Sequence, residues 1–212
     1  MEAVAVIDFE TTGLSPAQGD RATEIAAVIV EDGRVVDRYQ SLMNAGVRIP
    51  AYIEALTGIT NAMIRSAPAA GEVMREVSDF VGNMPIVAHN ASFDAKFWDA
   101  ELARIERSRG QDFVCSLLLS RRLLPAAPSH KLGVLVEYAN LPVAGRYHRA
   151  LADAEMAASL LLRLEDELRL RHQVPRVSVD LLRQIQRTSK AQLPRCLDRK
   201  STRLNSSHLV IS

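Results

Sequence analysis

Five residues in three short stretches carry the chemistry this chain can offer. Asp8 and Glu10 end the run Val4-Ala5-Val6-Ile7-Asp8-Phe9-Glu10-Thr11-Thr12-Gly13-Leu14. Asp94 closes His89-Asn90-Ala91-Ser92-Phe93-Asp94, and His148 precedes Asp153 in His148-Arg149-Ala150-Leu151-Ala152-Asp153. A cluster of acids is costly to assemble unless cations neutralise it, and the hard cations that prefer oxygen ligands are Mg²⁺ and Mn²⁺. An imidazole, with an ordinary pKa of about 6.5, suits a general base at neutral pH. Together they read as a divalent-metal site with its own base.

Taken singly, each stretch is weak. Positions i and i+2 of a strand share a face, so Asp8 and Glu10 project together while Phe9 points into the core. Asp-x-Glu is common on solvated strands; here it ends an apolar one, where a buried pair needs a counter-ion. Asp94 falls on the first turn of a helix after a strand, a place where ligands collect in open α/β sheets, although an acid there also complements the helix dipole. His148 and Asp153 are about 1.4 helical turns apart and do not share a helix face. That spacing puts His148 in a lead-in loop and Asp153 one turn inside the helix.

The elements that must hold these groups follow from periodicity. Strands are predicted over Ala3–Phe9, Thr23–Val30 and Arg34–Met43, the last two joined at Asp32-Gly33, which makes an antiparallel meander. Residues 50–67 mix short helical pieces with loop signals, and 68–81 has the three-and-four spacing of an amphipathic helix. Met84–Ala88 reads as a buried strand, with Ser92 capping a helix that runs to about Arg107. Phe113–Leu119 suits a strand or a helix. His130–Ala139 and His148–Leu170 are helices, the second with Leu151, Ala154, Ala158, Leu161, Leu162 and Leu168 as its stripe. The fold class is therefore α/β, a mixed sheet antiparallel first and parallel later, with helices covering it.

At 212 residues, 48% hydrophobic and 24% charged, the chain suits one soluble globular domain with a tail. No stretch approaches ~20 uninterrupted apolar residues and no leader pattern precedes Val4, so a cytoplasmic location without membrane contact is expected. Cys115 and Cys196 form neither a disulfide framework nor a zinc spacing and read as passive thiols. The net charge of +1 hides an asymmetry. Residues 1–168 hold 16 Lys and Arg against 23 Asp and Glu, whereas 169–197 hold 7 basic residues, among them Arg183, Arg187, Lys190 and Arg195, against 1 acidic one. An acidic body suits metal, and a basic tail suits phosphate, a solvated helix or a segment that only finishes the fold. Residues 198–212 read as a non-native extension and carry no functional argument.

In their order, Asp8-Phe9-Glu10-Thr11-Thr12-Gly13-Leu14, His89-Asn90-Ala91-Ser92-Phe93-Asp94 and His148-x-x-x-x-Asp153 closely resemble the DEDDh family of 3′→5′ exonucleases, which includes the proofreading (epsilon) subunit of bacterial DNA polymerase III. The match runs from about Val4 to Leu168 and lacks no acid or base of the pattern. The resemblance implies a ribonuclease H-like fold with a five-stranded mixed sheet, an exonuclease domain over 1–168 and a short tail over 169–197. It implies that Asp8 bridges two Mg²⁺ or Mn²⁺ ions, that Glu10 and Asp153 complete the first site, and that Asp94 holds the second. His148 takes a proton from the attacking water, and nucleoside 5′-monophosphates leave a 3′ end. Thr11, Thr12 and Gly13 would bind the terminal nucleotide through backbone N–H groups, with Leu14 wedged against its base. His89 and Phe93 would line the same pocket, with Asn90 beside them and Thr57 in its wall. Single-stranded DNA is the expected substrate, in replication proofreading or repair, and a DNA polymerase subunit is the partner the resemblance offers. Residues 169–197 match no polymerase-docking segment. An exoribonuclease of the same superfamily, or an inactive nucleic-acid-binding relative, are the alternatives; the intact set of acids and base argues against the inactive one.

Overall fold

A computed structural model of the chain describes residues 1–143 and 148–197; the proposed extension over 198–212 lies outside the described residues. Three strands come first, β1 (Val4–Thr11), β2 (Ala22–Glu31) and β3 (Arg34–Leu42), then helices α1 (Ala51–Thr57), α2 (Asn61–Arg65) and α3 (Ala70–Val81). After them come β4 (Ile86–Ala88), α4 (Ser92–Ala103), β5 (Phe113–Cys115), α5 (Ser116–Leu123), α6 (Leu132–Tyr138), α7 (Ala150–Leu170) and α8 (Val179–Arg187). The sheet order is β3-β2-β1-β4-β5, antiparallel across β1–β2–β3 and parallel across β1–β4–β5. This is the predicted mixed sheet.

Helices cover both faces, so β1 and β2 are apolar almost throughout. Alternation along β1 divides the core. Val4 and Val6 join Val28, Leu119, Leu161 and Leu182 beneath α5, α7 and α8, while Ala5, Ile7 and Phe9 join Met74, Phe97 and Trp98 beneath α3 and α4. Continued by two and four residues, the Val4–Val6 face becomes Asp8 and Glu10. The acids therefore end the strand on the side where α7 crosses it.

Several elements differ from expectation in their bounds. Ser92 does not cap α4; the N-cap is Ala91, without a side-chain bond, and the helix stops at Ala103, short of Arg107, where the chain turns through Glu106 with a left-handed φ of 58°. Phe113–Leu119 splits into a three-residue strand and a helix, because Leu119 and Leu123 are needed one turn apart against α7. The buried side of α7 uses Ala150, Ala154, Ala157, Leu161, Leu164 and Leu168, whereas Leu151 and Leu162 are half-buried at its border. Within 169–197, α8 buries Val179, Leu181, Leu182 and Ile185 in the α7-side core. Its Gln186 completes the outer strand: Oε1 accepts the Cys115 N–H at 2.7 Å and Nε2 donates to the Phe113 carbonyl at 3.1 Å.

One buried ion pair docks the start of α7 onto the sheet. Glu24 of β2 is 0% exposed and lies directly across from Glu10. Its carboxylate accepts Arg149 Nε at 3.1 Å and Nη2 at 2.8 Å, the Ala150 N–H at 3.0 Å and Gln40 Nε2 at 2.8 Å. Removing one partner of such a pair strands a buried charge. Arg149→Met is therefore expected to destabilise the protein by about 3 kcal/mol in urea unfolding, and adding Glu24→Gln is expected to recover part of the loss. An Arg149→Met variant within a few tenths of a kcal/mol of wild type would contradict this account of the pair.

Candidate active site

The acids converge from three elements. Asp8 and Glu10 come from β1, and Asp153 comes from the first turn of α7. Asp94 comes from the first turn of α4, on the opposite face, and reaches round the strand end to accept the Phe9 N–H at 3.2 Å. His148 sits in the lead-in to α7 with a left-handed φ of 61°, and its N–H donates to Asp153 Oδ2 at 3.0 Å. The helical acid thus fixes the loop that carries the imidazole. Ligand atoms of Glu10, His148 and Asp153 lie within 4.8 Å of one another.

Electrostatics at this cluster favour a cation. Burial, followed by the charges of Asp94, Asp153 and Glu10, raises the Asp8 carboxyl well above its ordinary range. Burial and the charges of Asp153 and Glu24 push Glu10 up to about 8, with Arg149 opposing. Asp94 is pushed to about 7 by burial, against the Phe9 N–H, and Asp153 is raised by burial, against the His148 N–H. Each of the four carboxyls is thus costly to ionise without a counter-charge, and every donor atom but the imidazole nitrogen is a hard oxygen. That donor set fits Mg²⁺ or Mn²⁺.

Two cavities meet at Asp8, His148 and Asp153. One, of about 400 Å³, is lined by Glu10, Thr11, Gly13, Leu14, Thr57 and Phe93 and also by Tyr52, Ile53 and Leu56 of α1. Leu14 and Tyr52 stand 77% and 68% exposed at its lip. The other, of about 530 Å³, is lined by His89, Lys131, Leu132, Gly133, Val134 and Glu137. His89 and Phe93, expected in one pocket, thus line different ones. His89 donates from Nε2 to the His130 carbonyl at 3.0 Å, so Nδ1 accepts from Ser116 Oγ at 2.9 Å. Burial, with His130 and Arg121 adding, holds that imidazole down to about 4. It is a neutral, fixed wall. Phe93 also packs on Phe97, with ring centroids 5.0 Å apart.

The remaining expected residues divide between lining and scaffolding. Thr12 lines neither cavity: its N–H donates to the Arg21 carbonyl at 2.9 Å and its Oγ1 accepts the Arg21 N–H at 3.0 Å, closing the base of the loop that presents Leu14. A Cβ on Gly13 would meet the Asp20 carboxylate, which itself accepts the Ser15 N–H at 2.9 Å, so a larger residue there would have to displace that side chain. Thr57, buried in the wall, donates from Oγ1 to the Ile53 carbonyl at 2.9 Å and accepts the Ile59 N–H at 3.1 Å. Asn90 turns the chain out of β4 at φ 66°, exposed and outside both linings. Sequence reasoning missed Glu24, Arg149, Tyr52, Leu56 and Lys131. Only Glu24 left a trace, as the one charge inside the run Ala22–Val30.

Comparison with known proteins agrees with this geometry. The family model described as exonuclease, of the RNase T type, matches residues 5–161. The PolC-type DNA polymerase III of Oceanobacillus iheyensis is 37% identical over 168 residues, 79% of this chain and 12% of that protein. The 3′-5′ exonuclease DinG of Bacillus subtilis is 36% identical over 197 residues, 91% of this chain and 20% of that protein. The chain spans at most about a fifth of the length of these two relatives. Among solved structures, exonuclease X in complex with 5′ overhanging duplex DNA superposes with a TM-score of 0.68 and 26% identity, covering 86% of this chain and 99% of that one. The five-stranded sheet is thus ribonuclease H-like, and the chain belongs to the DEDDh exonuclease family.

Proposed function

We propose that the chain is a 3′→5′ exonuclease that hydrolyses single-stranded DNA to nucleoside 5′-monophosphates with two Mg²⁺ or Mn²⁺ ions. The observation that carries this reading is the shared wall of the two cavities. Asp8, His148 and Asp153 line both, so a strand crossing from one to the other places a phosphodiester at the acids. The Leu14–Tyr52–Leu56 cavity is large enough for one nucleoside, which supports attack at a chain end. The similarity to the 3′-5′ exonuclease DinG and to exonuclease X supports that polarity and a DNA substrate.

Asp8, Glu10 and Asp153 would hold one cation, and Asp8 with Asp94 the other. When bound, the cations supply charge neutralisation and Lewis acidity at the scissile phosphate. The protein's own groups do the rest. Asp94 and Asp153, each accepting a backbone N–H, keep the carboxylates oriented without reorganisation. His148, exposed and held at the cluster through its own backbone, takes a proton from water as the water oxygen bonds to phosphorus and the P–O3′ bond breaks. Leu14, Tyr52 and Leu56 pack against the terminal base. We assign 1–168 to the nuclease domain, with 169–197 completing its core. We place its action in the cytoplasm, in replication proofreading or repair, with a polymerase subunit as partner by analogy to the PolC-type relative.

Matched 3′- and 5′-labelled DNA and RNA strands test the reaction. Wild type is expected to release labelled mononucleotide from 3′-labelled DNA and to shorten 5′-labelled DNA stepwise. His148→Ala is expected to slow this by about 10²–10⁴-fold, and Asp8→Ala to abolish it. No mononucleotide from any strand, or full activity in Asp8→Ala, overturns the proposal, and RNA cleaved faster than DNA replaces it with the exoribonuclease reading.

The charge balance gives a second expectation. At saturating Mn²⁺ the wild-type Tm should rise by about 5 °C over the metal-free protein, and in Asp8→Ala the rise should vanish. Asp8→Asn should raise the metal-free Tm, because it removes a carboxyl whose ionisation is opposed in the fold by burial and by its acidic neighbours but is free in the unfolded chain. Differential scanning calorimetry decides both, and a metal-independent wild-type Tm counts against the cation site.

A further inference from the structure

We infer that Lys131 and Arg121 form a track for the phosphodiester backbone of the uncleaved strand, so that the strand reaches the acids along the His89 side with its 3′ nucleoside in the Leu14–Tyr52–Leu56 cavity. This rests on the nuclease reading above and adds the path and polarity of the substrate. The two cavities differ in charge. Among the described lining residues Lys131 is the one Lys or Arg of either; it lies in the larger, on the side away from Leu14, with Glu137 as that cavity's one acid beyond the shared Asp8 and Asp153. Its backbone is anchored through its neighbour, because the His130 carbonyl accepts from the half-buried His89 imidazole in the same wall.

Arg121 is exposed on α5, the helix whose Ser116 holds His89 Nδ1 and so borders the same side. Most cations near the sheet have a carboxylate partner: Arg21 pairs with Glu101, Arg38 with Glu155 and Arg149 with Glu24. Among the described residues, no ion pair engages Lys131 or Arg121. A polyanion approaching Asp8, Glu10, Asp94 and Asp153 is repelled until it meets compensating charge. Cations left free on one flank supply that compensation and set the direction of entry. The opposite cavity offers, beside Glu10 and the shared acids, apolar side chains and hydroxyls, which suit a sugar and base without further phosphates.

The test separates backbone contact from chemistry. The probes are a fluorescently labelled single-stranded oligodeoxynucleotide, read by anisotropy without divalent metal, and the p-nitrophenyl ester of thymidine 5′-monophosphate, whose sole phosphate is the scissile one. Lys131→Gln with Arg121→Gln is expected to weaken oligonucleotide binding about fivefold and to lower the slope of log K against log salt by about 0.7 for each cation removed. In turnover the double variant should lose more on the oligonucleotide than on the ester, through KM. Unchanged binding and salt slope, or equal losses on both substrates, overturns the track. Wild type inactive on both substrates overturns the nuclease reading, and the binding arm still decides the track.

Discussion

Four carboxylates at the end of one strand repel each other, and the surrounding structure holds them against that repulsion. Asp94 and Asp153 each accept a backbone N–H, from Phe9 and His148, so two of the four acids are oriented by main chain rather than by flexible partners. Glu24, the neighbour of Glu10 across the sheet, would add a fifth charge, and Arg149 compensates it with a forked pair. Arg149 directly follows His148. Compensation of a sheet carboxylate and placement of the imidazole are therefore one event, achieved where α7 docks.

The rest of the architecture can be derived from that docking. Strand alternation puts Asp8 and Glu10 on the face α7 covers, and small residues along α7, Ala150, Ala154, Ala157 and Ala158, let the helix lie close to β1 and β2. The other face is sealed by α4, which is clamped to the loop after β1 by Arg21 and the buried Glu101 at 2.7 and 2.8 Å. Both helices thus deliver an acid from their first turn, from opposite sides of one strand.

Much of this was legible from periodicity and order. The strand meander, the later parallel strands and the place of His148 outside α7 follow from local spacing, and the fold class is as expected. What was not legible depends on pairing between distant positions. Glu24 and Arg149 are 125 residues apart, and nothing local marks their encounter. Thr12 looked available for a ligand but is engaged with Arg21, a partner that appears only when the loop closes. The burial of helix α8 was not legible for another reason. Charge dominated the reading of 169–197, while Val179, Leu181, Leu182 and Ile185 supply a narrow apolar stripe that acquires meaning only against α5 and α7.

The bond pair from Gln186 bears on how the molecule behaves among its own copies. β5 is the last strand of the sheet, and an unpaired strand border is a template on which another chain can add. By presenting an amide that accepts from Cys115 and donates to Phe113, Gln186 imitates the main chain of a sixth strand for one residue pair and then stops. With only three residues in β5, that single imitation occupies much of the exposed border. The helix remote from the chemistry thus closes one of the sheet's two borders, the β5 side, to the addition of a further strand.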